Sequence, residues 1–124
     1  MAGVVTEPSA DGRGRAFAVR RDGAVLHLSG DIDQANWLAV AERVTAELRR
    51  GAVELDLTGV GFFGAAGVRA LLVANDRSRV AGTLRVTCSG MVLRVLTICG
   101  LKSLDGMVVT ERVTDLDRPP RADA

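Results

Sequence analysis

The stretch Asp56-Leu57-Thr58-Gly59-Val60-Gly61-Phe62-Phe63-Gly64-Ala65-Ala66-Gly67 carries the chain from an apolar strand pattern into an apolar helical one. Upstream, Val53, Leu55 and Leu57 alternate with Glu54 and Asp56, the period of a strand. Downstream, Val68, Leu71 and Leu72 recur at helical spacing and predict inward positions on a helix over Ala65–Arg79, which Gly82 ends. A glycine-rich loop is expected between them. As bare pattern, Gly59, Gly61 and Gly64 spell G-x-G-x-x-G, in which helix N-terminal amides cradle a phosphate. The surroundings argue against that use. The next strand ends Thr87-Cys88-Ser89-Gly90, with no acid for a ribose hydroxyl, and the loop follows the third predicted strand rather than the first. The Gly-Lys-Ser/Thr of a phosphate loop is absent as well.

Working outward, Phe17–Arg20 and Ala24–Ser29 alternate about Arg21-Asp22-Gly23, a hairpin signal. Gly30-Asp31-Ile32-Asp33 breaks the strand, and Asp33 is placed to cap a helix. Trp37, Leu38, Ala41, Val44 and Leu48 share one face of that helix; Arg49 and Arg50 complement its C-terminal dipole and Gly51 stops it. Beyond the central stretch come a strand over Leu84–Cys88 and a helix over Met91–Cys99. Ser89 is the expected N-cap of that helix, Val92, Val95, Leu96 and Cys99 its buried face, and Gly100 its stop. A short strand over Met107–Val109 and a weak helix over Glu111–Asp115 complete the pattern. Residues 1–14 read as a flexible leader, 15–117 as one domain and 118–124 as a disordered tail. The order β-β-α-β-α-β-α-β predicts a single α/β domain with a mixed, mostly parallel sheet of four to five strands packed by about four helices.

At 124 residues with 48% hydrophobic and 25% charged residues, the chain fits one soluble domain with an aliphatic core, since aromatics make up only 3%. A net charge of +1 supplies no basic field for nucleic acid or an anionic membrane. The N-terminus carries no signal segment and no apolar run reaches membrane-spanning length, so a cytoplasmic location is expected. Cys88 and Cys99 read as buried small hydrophobes in a reducing compartment. His27 is the single histidine and reads as packing or surface. No base–nucleophile pair or metal-ligand cluster is legible, so neither an enzyme nor a cofactor or metal is expected.

Three segments in order resemble the STAS domain, the fold of anti-sigma factor antagonists. The hairpin followed by Gly30-Asp31-Ile32-Asp33 resembles that family's strand ending in Gly-Glu-Leu-Asp. VELDLTGVGFFGAAGVRALL (53–72) resembles its valine-rich strand, Asp-Leu-Ser/Thr, Asp-Ser-Ser/Thr-Gly and apolar helix. LRVTCSGMVLRVLTICGLKSL (84–104) resembles its last strand, third helix and closing Leu-x-x-x-Gly-Leu.

The resemblance implies a protein-interaction module that binds an anti-sigma factor, in some members a serine kinase, and so regulates transcription indirectly. It implies a partner surface at Asp31, Asp33, Phe62, Phe63, Gly64, Ala65, Ala66, Gly67 and Arg69. In the family, phosphorylation of the first Ser of the motif breaks the contact by placing a doubly charged group in a close interface. Here Ala65 stands at that position, Ala66 lacks the second hydroxyl, and Gly64 replaces the acid. The usual switch is therefore missing; Thr58 and Ser89 are the neighbouring hydroxyls, with a turn and a helix cap as their plain roles. Two readings stay open at Phe62-Phe63: both rings buried, or one inward and one offered to a partner. Asp31 and Asp33 fit either a cap and turn or an acidic docking pair. A divergent module binding a nucleotide or lipid-like ligand, or a signalling scaffold, is the alternative function, and a dimer is compatible with the sequence.

Overall fold

The computed structural model describes residues 4–7, 16–78, 83–101 and 106–112. Six strands form one sheet in sequential order: β1 (Val4–Glu7), β2 (Phe17–Asp22), β3 (Val25–Asp31), β4 (Glu54–Phe62), β5 (Leu84–Cys88) and β6 (Met107–Glu111). The first two pairings are antiparallel and the last three parallel. Helices α1 (Trp37–Arg49), α2 (Gly64–Ser78) and α3 (Gly90–Ile98) make the three crossovers. This is the single α/β domain with a mixed, mostly parallel sheet that the element order implied.

Because each parallel strand lies next to its predecessor, right-handed crossovers place all three helices on the same face of the sheet. Burial follows that geometry. Phe17, Val19, Leu26, Leu28, Leu55, Leu57, Leu84 and Val86 are at most 2% exposed and meet the helices. The residues between them, among them Arg20, His27, Arg85 and Thr87, point to the opposite face, which none of the described helices covers. The sheet therefore has one aliphatic face and one polar face, each written by the period-two alternation.

Several boundaries differ from the sequence reading. Residues 4–7, assigned above to a flexible leader, pair with β2, so the sheet gains a strand. The hairpin turn is Gly23-Ala24, since Asp22 pairs with Val25; Gly23 takes φ 58, a conformation open to glycine without steric cost. The largest difference is in the central stretch. Gly59 to Phe62 do not form a loop but extend β4, with Ser29 opposite Gly59 and Gly30 opposite Val60. A Cβ on Gly59 would come within 2.9 Å of the Ser29 Cβ, so glycine there permits close strand contact. A phosphate cradle needs a loop, and this stretch has almost none. Within the helices, Leu38 and Leu72 were expected inward but are 46% and 38% exposed, and Cys99 is exposed. Gly82, residues 113–115 of the weak helix and the 118–124 tail lie outside the described residues, while Glu111 belongs to β6.

Candidate docking surface

Phe62 ends β4 and Gly64 opens α2, so Phe63 alone makes the connection. The alternation of the strand sends the two rings opposite ways: Phe63 is 2% exposed in the core and Phe62 is 49% exposed. Gly64 adopts φ 55, the left-handed region, which lets the chain turn from strand to helix in one residue. Gly67 N donates to Phe63 O at 2.9 Å and closes the first turn of α2. The Phe63 ring lies so close against that turn that a Cβ on Gly67 would come within 2.5 to 2.7 Å of three ring carbons. Gly67 therefore serves packing rather than a partner.

The nine expected site residues divide accordingly. Phe62, Ala65 and Arg69 are exposed, and Asp31, Asp33 and Gly64 are half-buried. Phe63, Ala66 and Gly67 are buried within the chain, which corrects their placement on the partner surface; their part is to hold the exposed three in position. Exposed residues of α2 follow the helical repeat Ala65, Arg69, Leu72, Asp76. Arg69 lies over the Trp37 ring at 5.2 Å from its centroid, which ties this stripe to the start of α1 and adds exposed Leu38 beside it. Trp37, Leu38 and Leu72 are thus rim residues that the apolar-face reading missed. The signal lay in the width of the stripe: Trp37, Leu38, Val40, Ala41, Val44 and Leu48 cover more arc than one contact can bury.

The acidic pair forms the wall beside Phe62. Ile32 N donates to Phe62 O at 2.9 Å, and a Cβ on Gly61 would meet Asp31 Oδ1 at 3.1 Å. Asp33 Oδ1 accepts from Ala35 N and Asn36 N, both at 3.0 Å, and Asn36 Oδ1 accepts from Asp33 N at 2.9 Å. This reciprocal pair nucleates the turn that leads into α1 in the manner of a capping box. The N-cap itself is Asn36, one residue before the helix and fully buried, with Nδ2 donating to Asp31 O at 2.8 Å.

The hydroxyls nearest the missing switch have structural partners. Thr58 Oγ1 donates to Asp56 Oδ1 at 2.7 Å, and Ser89 Oγ accepts from Val92 N at 3.5 Å as the N-cap of α3. Asp56 is 5% exposed, and burial pushes its carboxyl pKa up. Hydrogen bonds from the Thr58 hydroxyl and amide and from His27 outweigh that and hold it below the usual value. Among the described residues no three His, Cys, Asp or Glu side chains gather as a metal site, and no helix is long and apolar enough to cross a membrane.

The elements together define a small two-layer α/β domain. The family model described as "Mlab, STAS domain" matches residues 16–110, and the chain belongs to the STAS domain family. Among solved structures it is similar to the crystal structure of an anti-sigma factor antagonist from Mycobacterium paratuberculosis. The two are 21% identical with a TM-score of 0.59, over 82% of this chain and 90% of that one, which is a likeness of fold. No curated protein matches.

Proposed function

We propose that this STAS domain is a non-enzymatic, cytoplasmic docking module for an anti-sigma factor or a related signalling protein, and that its docking is not switched by phosphate at the usual position. The observation that carries this reading is Ala65, exposed at the start of α2 between Phe62 and Arg69, with a methyl group where the family resemblance expects a phosphorylatable hydroxyl. An exposed aromatic ring beside small residues allows a partner backbone to approach closely and bury the ring, the usual composition of an energetic centre. Arg69, aligned over Trp37, adds one directed charge, so the complementary partner surface carries an acidic group next to an apolar one.

The space between α2 and the sheet supports docking over ligand binding here. The cavity lined by Leu28, Ile32, Phe63 and Gly67 holds about 10 Å³, room for one water at most and none for a nucleotide or lipid. The test is a pull-down against the anti-sigma factors of the host, with and without ATP. Binding that ATP leaves unchanged, and that Phe62→Ala weakens about tenfold or more as expected of a central aromatic, supports the reading. Transfer of labelled phosphate to this chain, or failure to bind any anti-sigma factor, refutes it.

A further inference from the structure

The sheet face opposite the described helices holds a second arrangement of functional groups, independent of the docking reading. A groove of about 430 Å³ runs over β2, β3 and β4. Its floor is small: Ala18, Ser29 and Gly59 leave the backbone open to close approach. Cationic or hydrogen-bonding groups reach it from two strands and from the segment after β6. Arg20 comes from β2, His27 from β3, and Arg112 from just beyond β6, its side chain crossing β5 to come within 3.6 Å of Asp56 Oδ2.

Asp56 organises these groups. Its Oδ2 lies 2.7 Å from His27 Nδ1. With the carboxylate ionised, Nδ1–H is the donor, and the tautomer and plane of the ring are fixed. Its Oδ1 is occupied by the Thr58 amide and hydroxyl at 2.9 and 2.7 Å, so its charge is largely compensated within the protein. The two guanidinium groups are less committed. Arg112 stands at 3.6 Å from Asp56 and Arg20 at 3.8 Å from Asp22, both beyond hydrogen-bond length, and their side chains are 55% and 41% exposed. Two planar five-donor guanidinium groups lining one small-floored groove are the chemistry that binds oxyanions.

We propose that this groove is an anion site for a phosphate group, free or as a monoester. Arg20 from β2, the Ser29 hydroxyl from β3 and Arg112 from beyond β6 supply N–H and O–H donors. These fit a tetrahedral group with three or more acceptor oxygens better than a planar carboxylate with two. His27, whose Nδ1–H is spent on Asp56, borders the site and reports on it. The ester substituent would lie along the groove, whose volume exceeds what a bare anion fills.

His27 is the one histidine of the chain, so its ring resonances report on the groove without ambiguity. The experiment follows them by NMR at fixed pH and ionic strength while inorganic phosphate, glycerol 3-phosphate or acetate is added to the full chain. The expected result is a saturable shift with both phosphates. Arg112→Ala and Arg20→Ala should each weaken binding roughly tenfold, as loss of a charge-assisted hydrogen bond implies, with the amide spectrum otherwise unchanged. Tighter binding of glycerol 3-phosphate identifies the monoester as ligand, and tighter binding of inorganic phosphate identifies the free anion. A linear shift without saturation, equal affinity for acetate, or undiminished binding in both arginine variants overturns the proposal. None of these outcomes depends on Phe62 or on an anti-sigma factor, so the two readings fail separately.

Discussion

Gly67 sits at the meeting of two opposed effects. Glycine in a helix costs about 1 kcal/mol relative to alanine, so Gly67→Ala should help α2 on propensity alone. The added Cβ, however, falls 2.5 Å from the Phe63 ring, which is itself locked in the core. Overpacking of this kind costs about 1–3 kcal/mol, and the clash should win. The expected outcome is a lower melting temperature for Gly67→Ala, by several degrees; an unchanged or higher one contradicts the packing role. Asp56 gives a second prediction. A carboxyl whose pKa is lowered on folding contributes stability above its unfolded value of 3.8 and loses it as pH falls through the folded value. Denaturant titrations of wild type and Asp56→Asn should therefore diverge at neutral pH and converge only as pH falls below 3.8 through the lowered folded value. A gap that persists in acid would mean that Asp56 acts by shape rather than charge.

Among the elements, the entry to α1 depends on one buried amide. Asn36 bonds Asp33 N through its oxygen and Asp31 O through its nitrogen. Asn36→Ala strands both backbone groups and should cost about 1–3 kcal/mol, read as a lowered denaturation midpoint with an unchanged slope. The element pattern was legible wherever periodicity was strong: β3, α1, β5 and α3 lie within a residue or two of their sequence assignments. It failed at Gly59–Phe62 because glycines ordinarily mark loops, whereas here they let β4 run close beside β3. It failed again at Leu38 and Leu72, since an apolar side chain at the rim of a helix contact carries the same sequence signal as one at its centre. The His27–Asp56 pair was out of reach for another reason. Its partners are separated by 29 residues and meet only through the parallel register of β3 on β4.

On the scale of the whole molecule, one layer of helices on one face of a sheet yields two surfaces with different chemistry. The same architecture separates the two thiols. Cys88 is fully buried, with its pKa pushed up to about 11 by burial first and by the charge of Glu111 second, whereas Cys99 is exposed past the end of α3. A chromogenic thiol reagent should titrate one cysteine in the native chain and the second only on unfolding; two reactive thiols without denaturant would contradict the described core. The proposed docking patch lies where β4 meets α2, with Phe62, Ala65 and Arg69 exposed and no hydroxyl among the three. Its most direct test is the affinity of the purified chain for a cognate anti-sigma factor, measured with and without ATP for wild type, Phe62→Ala and Ala65→Asp. Binding is expected to be insensitive to ATP in the wild type and sharply weakened in both variants. Wild-type binding abolished by ATP, or variants that bind as tightly as wild type, would contradict it.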